Sequence, residues 1–260
     1  MRTIFVQLLV LSAVFFCIFH KPDTKPTSFD SKEKAEIPTS LEFKERGVLV
    51  RLLNSSNLEE ETLKELQIEL EREITEILEF AKGDMPVVDV LTLDVTTIEG
   101  YDTKSVLYFD PALEAGEQFF YYYLTSNLFE QSTHRGYFNA AGLSAYFQDG
   151  PQFLHELYSE RSDVEVASIE ELSNNIGFVD QVYYGFTSYT DHDVEVANAA
   201  WVKIGSFTSY IIDQYGSSPY FKIYDSSDIA SDFKIVYGKT ITEMETEWRE
   251  YLSSDFDLND

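Results

Sequence analysis

The sequence predicts an α+β fold in which a small N-terminal β-sheet with one long helix precedes a mainly helical half. Short runs rich in β-branched and aromatic residues, flanked by turn formers, occur before residue 110. One stretch with apolar residues at helical spacing separates these runs. From Pro111 onward most segments have the periodicity of helices. At 260 residues and 44% hydrophobic, the chain is long enough to bury a full core.

The first half contains three predicted strands and the long helix. The strand predictions cover GVLVRLL (47–53), VVDVLTLDV (87–95) and SVLYF (105–109). Apolar residues at helical spacing run from Leu63 to Ala81. Ser56 with Glu59 has the spacing of a capping box, and Lys82 followed by Gly83 is typical of a helix end.

The second half is predicted to be a helical bundle. A proline-started apolar helix is expected from Pro111 to Phe129. A second apolar stripe runs from Ala197 to Tyr215 and is stopped by Gly216. Thr240 and Glu243 predict the cap of a closing helix that carries Met244, Trp248 and Leu252.

The N-terminal region predicts membrane targeting. Arg2 precedes a nearly uncharged apolar run, Ile4 to Phe19. Its length lies between a cleavable signal core of about 7–15 residues and a spanning helix of about 17–25. Bulky residues near its end favour an uncleaved anchor, and cleavage would instead give a secreted protein. Lipid attachment at Cys17 is a less favoured alternative, because the residues before it are bulky as well.

The predicted organisation therefore has three parts. Residues 1–20 form the anchor or signal segment, and residues 21–43, rich in Lys, Pro, Ser and Thr, form an extended linker. Residues 44–260 form one domain with a sheet half (44–110) and a helical half (111–260). The body is expected outside the cytoplasm, held at the cell membrane by its N-terminal segment.

Charge and cysteine content exclude several functions. Forty-six acidic residues against 19 Lys and Arg give a formal charge of −27, which repels nucleic acid and anionic lipid headgroups. The one cysteine, Cys17, lies in the apolar N-terminal segment. The domain therefore has no intrachain disulfide, no thiolate nucleophile and no cysteine-based zinc site.

Three segments, in order, resemble the gluzincin-type zinc metallopeptidases, especially the group called peptidase MA-like. The first resembles the family's helix with the pattern W-L-x-E-G-L-A-x-Y-F, the second its helix with a Gly-Ser-Phe core, and the third its closing aromatic-Gly turn and helix. They are FNAAGLSAYF (138–147), NAAWVKIGSFTSYIIDQYG (198–216) and FKIVYGKTITEMETEWREYL (233–252). The resemblance implies a thermolysin-like α+β fold and a cleft in which relatives hold extended peptide against a sheet edge.

The family's chemistry requires His-Glu-x-x-His on one helix and a third zinc ligand, a glutamate, on the later Glu-Gly-Leu helix. The helix expected from Pro111 contains no histidine. In the best register, Gly116 and Phe120 stand at the two histidine positions and Glu117 at the position of the base. Ala141 stands where the third ligand precedes Gly142. The resemblance therefore implies a degenerate site, no bound zinc and no catalytic residue.

An alternative metal site is conceivable elsewhere in the sequence. His155 with Glu156 is half of a His-Glu-x-x-His motif, because Ser159 replaces the second histidine. Asp191, His192 and Asp193 place two carboxylates around an imidazole. The simpler interpretations are a surface His-Glu pair and an acidic flank that favours the N-terminus of the following helix.

The expected function is thus a metallopeptidase-like pseudoenzyme that binds peptide or protein at the cell envelope. The alternative is an active metal-dependent hydrolase that uses a site around His155, Glu156 and His192. A third possibility is a purely structural spacer domain. No nucleic acid partner is expected, and zinc is not expected to bind.

Overall fold

The computed structural model describes residues 38–97, 106–109, 120–130, 137–161, 164–174 and 190–255. The apolar segment 4–19, Gly116, Glu117 and the first part of the helix predicted from Pro111 lie outside the described residues. Among the helices that are described, none combines the length and the apolar character needed to cross a membrane.

Four strands form one sheet with the order β1-β2-β3-β4. They are β1 (Ser40–Glu45), β2 (Val48–Leu53), β3 (Val90–Thr96) and β4 (Val106–Tyr108). β1 pairs antiparallel with β2, whereas β2, β3 and β4 are parallel. β1 lies partly in the region that the sequence assigns to the linker, so the predicted linker end at residue 43 is corrected. Val87 lies outside β3 and forms a single bridge with Phe129 instead.

Helix α1 (Glu60–Ala81) connects β2 to β3 and packs on the inner face of the sheet. Its apolar stripe is the one the sequence predicts, and Lys82 ends it in the left-handed conformation. The predicted capping box is wrong, because the N-cap residue is Glu59, whose side chain makes no capping hydrogen bond. The hydroxyl of Ser56 accepts a hydrogen bond from the Thr97 N–H at 2.8 Å and so joins the end of β3 to the loop before α1.

The rest of the described chain is helical. The helices are α2 (Tyr121–Asn127), α3 (Tyr137–Asp149), α4 (Pro151–Glu160), α5 (Ile169–Asn174), α6 (Asp191–Tyr215), α7 (Ser217–Ile223), α8 (Ile229–Tyr237) and α9 (Ile241–Asp255). α2 ends at Asn127, two residues before the predicted Phe129. Gly216 ends α6, and Thr240 with Glu243 forms the predicted capping box at α9. The mixed α and β architecture is confirmed.

Helices α3 and α6 approach each other unusually closely through small residues. A Cβ atom added to Gly142 would lie 2.0 Å from Thr208 Oγ1, and one added to Gly205 would lie 2.7 Å from the Ala145 Cβ. Such distances leave no room for any side chain at either glycine. The two glycines therefore set the distance between the central helices, around which the aromatic core is arranged.

Substituting Gly142→Ala is expected to lower the free energy of unfolding by about 2 kcal/mol, through overpacking against Thr208. The sign of this change in the free energy of unfolding separates overpacking from helix propensity. Gly to Ala in an unobstructed helix interior raises stability by up to about 1 kcal/mol. Urea denaturation of the variant measures the change. The double variant with Thr208→Ala, which removes the nearest atom, should recover part of the loss; a stabilised single variant would contradict the close packing.

Candidate functional site

Two of the positions that the resemblance assigns to zinc ligands are part of the hydrophobic core. Phe120 precedes α2 and is 1% exposed, and Ala141 on α3 is also 1% exposed. Both belong to the same continuous apolar cluster. Ala141 is flanked on its helix by buried Ala140 and Leu143, so its position is enclosed by apolar side chains.

A buried carboxylate lies beside Phe120. It is not among the site residues that the sequence predicts. Glu73 on α1 is 0% exposed, and its Oε2 accepts a hydrogen bond from the Phe120 N–H at 3.1 Å. Burial raises the pKa of Glu73 to about 8, although the neighbouring Arg72 and the Phe120 N–H act in the opposite direction. Burial thus shifts Glu73 toward the neutral acid, whereas the N–H donors at its two oxygens favour the carboxylate.

Polar side chains on the exposed side of Glu73 form a connected group. Arg72 Nη2 lies 3.3 Å from Glu73 Oε1 and 2.8 Å from Glu69 Oε2. Arg72 Nη1 donates to the Tyr121 hydroxyl at 3.2 Å, and that hydroxyl donates to Glu76 Oε2 at 2.7 Å. The group joins α1 to the start of α2 and gives the buried acid a polar connection to the surface.

The spacing of the apolar residues on α1 indicates that Glu73 is buried. The buried residues Leu66, Leu70 and Ile77 belong to one apolar stripe, and Glu73 lies in it three residues after Leu70 and four before Ile77. A charged residue on the apolar stripe of a helix indicates a buried polar site. The strands and helices that cover it could not be inferred from α1 itself.

His155 does not face the same region as Glu156. It is 2% exposed on α4, and its Nδ1 lies 2.7 Å from Ser206 Oγ on α6. Ser206 Oγ also accepts a hydrogen bond from Trp248 Nε1 at 3.2 Å. Burial lowers the pKa of His155 to about 4, so the imidazole is neutral at physiological pH. This distance would suit a nucleophile and its base, yet Ser206 is fully buried and no substrate carbonyl can reach it.

The other residues of the alternative metal site are dispersed. Glu156 is exposed and accepts a hydrogen bond from Gln152 at 2.9 Å. The side chain of His192 is 77% exposed and lies 3.7 Å from Glu195. Asp193 completes a capping box with Thr190 at the start of α6, and the side chain of Asp191 lies outside the description. Within the described parts of the chain, no three His, Cys, Asp or Glu side chains are grouped to hold a metal ion.

Comparison with known proteins finds no relative, since no family model, curated protein or solved structure matches this chain. The resemblance to gluzincins therefore rests on the three sequence segments alone.

Replacing Glu73 by Gln is expected to change how stability depends on pH. The folded-state pKa of about 8 lies above the unfolded value of 4.5, so the folded protein binds more protons between these values. The contribution of Glu73 to the stability of the wild type therefore falls as pH rises from 5 to 8, whereas Gln at this position has no proton to lose. The free energy of unfolding of the variant minus that of the wild type should increase by roughly 3 kcal/mol over this range. Denaturation at both pH values tests this, and an unchanged difference would contradict a protonated Glu73.

A carboxylate at the position that the resemblance assigns to the third zinc ligand is expected to destabilise the protein. Ala141→Glu would bury a charge in the apolar core without a partner, which should lower the free energy of unfolding by about 3 kcal/mol or more. Gln148→Glu, on the half-buried end of the same helix, is the matched control and should cost much less. Thermal denaturation of both variants measures the difference. Equal stability of the two variants would show that the Ala141 position is open.

Proposed function

We propose that this chain is a gluzincin-like protein without peptidase activity that binds extended segments of other proteins at the cell envelope. The observation that carries the proposal is the enclosure of Ala141 and Phe120 in the apolar core. Zinc peptidases need three protein ligands around an open coordination position that holds water. Apolar side chains packed at two of the ligand positions are incompatible with that arrangement.

The sheet offers a surface for an extended peptide. β1 pairs with β2 along one edge, and no described strand pairs with its other edge. A peptide added to such an edge is held by main-chain hydrogen bonds, and pockets for its side chains supply specificity. β1 is six residues long, so it can pair with a segment of comparable length.

A cavity of about 280 Å³ lies next to the end of β1. Its walls include Arg46, which directly follows β1, and the apolar side chains of Leu78, Met85 and Val87. These walls suit an apolar side chain of a bound segment, while the guanidinium of Arg46 is held by Glu45 and Glu79. The edge and the cavity together would give one site for backbone pairing and side-chain selection.

The location of the protein follows from the N-terminal segment. The apolar run from Ile4 to Phe19 and the polar spacer after it would hold the domain at the outer side of the membrane. The partners are then envelope or secreted proteins. The strongly acidic surface of the chain disfavours adhesion to anionic lipid headgroups.

Binding to fluorescein-labelled casein, whose chain is unstructured, tests the proposal. The full chain in mild detergent should raise the fluorescence anisotropy of the probe saturably, with and without 1,10-phenanthroline. Mass spectrometry should find the probe intact. Cleavage that the chelator abolishes would contradict the loss of peptidase activity.

Two tryptophan substitutions test whether casein binds at the edge of β1 and the adjacent cavity. Met85→Trp narrows the cavity beside β1 and should weaken casein binding about tenfold, the effect of losing roughly 1.4 kcal/mol. Ile68→Trp adds the same ring at a position that is 63% exposed and does not line the cavity. Its affinity for casein should equal that of the wild type. Equal affinities of all three proteins would exclude the site at β1.

A further inference from the structure

A second cavity, of about 190 Å³, is lined by three cationic side chains in an otherwise acidic protein. Arg161 follows α4, Lys203 lies in the middle of α6, and Arg249 lies on α9. The three residues come from segments far apart in the sequence. Their convergence on one cavity is therefore a product of the fold.

Glu245 fixes two of these cations. Lys203 is 2% exposed, and its Nζ lies 2.9 Å from Glu245 Oε1 and donates to the Ala167 carbonyl at 2.7 Å. Arg249 Nη2 donates to the same Glu245 oxygen at 2.9 Å. The other oxygen of Glu245 accepts the Ile169 N–H at 2.9 Å. Buried ion pairs of this kind often stabilise a fold no more than apolar residues would. The effect of this network that the structure does show is to hold Lys203 and Arg249 in place beside the cavity.

The described cations around the cavity are paired unequally. Lys203 and Arg249 both contact Glu245 behind the cavity, and two further carboxylates are close: Glu165 lies in the wall and Glu171 acts electrostatically on Lys203. Arg161 forms no ion pair with any described residue. The formal charge of the whole chain is −27, so Arg161 is a local exception, a cation beside the cavity that can accept one anion of single charge.

The remaining walls suit a small organic group. Tyr158, Val164, Val166 and Ala199 supply a ring and aliphatic surface. The volume corresponds to roughly six water molecules in the liquid, at about 30 Å³ each. The cavity is therefore smaller than the sites that hold drug-sized ligands.

We propose that this cavity binds a small organic monocarboxylate. Arg161 and Arg249 would donate hydrogen bonds to the carboxylate, which matches the planar fork of a guanidinium. The aliphatic part would lie against Val164, Val166 and Ala199. A phosphate dianion would bring a second negative charge close to the carboxylates of Glu165 and Glu245. This site is independent of the proposed peptide binding at β1.

Side-chain NMR of the full chain labelled with ¹⁵N-arginine tests the site with sodium propionate as the probe. The Nε resonances of Arg161 and Arg249 should shift saturably with propionate and remain unchanged with sodium chloride at equal ionic strength. Sodium phosphate should bind more weakly. No saturable shift, or tighter binding of phosphate, would overturn the proposal.

Two variants separate the cavity from general surface charge. Arg161→Gln removes a charged donor and should weaken propionate binding about tenfold or more. Arg51→Gln removes the same charge from β2, where Arg51 pairs with exposed Glu42, and should leave propionate binding unchanged. Circular dichroism checks that both variants are folded. Equal effects of the two substitutions would overturn the proposal.

Discussion

The close contact between α3 and α6 is the constraint on which the helical half depends. Gly142 and Gly205 have no room for a side chain, because Thr208 and Ala145 already occupy that space. This approach brings the two helix backbones together and leaves the larger side chains to fill the space around them. Phe207 on α6 accordingly stacks on Phe233 and meets the edge of Trp248. Phe233 lies on α8 and Trp248 on α9, so the packing of these rings against Phe207 positions both helices.

The same contact determines the surroundings of Ala141, the position that the resemblance assigns to a zinc ligand. Ala141 lies next to Gly142, so a helix close enough to bring Gly142 against Thr208 also buries Ala141. The helix that carries a zinc ligand in the gluzincin family would here serve as a packing element. Polar groups are found elsewhere, in the buried Glu73 beside Phe120 and in the cavity lined by Arg161, Lys203 and Arg249.

Features governed by local interactions could be predicted from the sequence. The stripe of α1, the stop of α6 at Gly216 and the cap of α9 at Thr240 depend on residues within a few positions of one another. Features governed by distant residues could not. Ser56 has the spacing of a cap, but its hydroxyl binds the N–H of Thr97, 41 residues away.

The candidate sites illustrate the same limit. His155 and Glu156 are adjacent in the sequence, yet α4 turns the first toward Ser206 and the second toward solvent. The buried carboxylate of Glu73 accepts its hydrogen bond from Phe120, which lies 47 residues later in the sequence. The sequence does not predict β1, because this strand has only six residues, in which charged and apolar side chains alternate, as is common in short edge strands.

Hydrogen exchange of the α3 amides reports whether this helix belongs to the core, as the contact between Gly142 and Thr208 requires. The amides of residues 140–145 should exchange only through global unfolding, at rates that equimolar zinc does not change. Exchange of these amides well before global unfolding, or protection that increases with zinc, would contradict the burial of α3 and of Ala141.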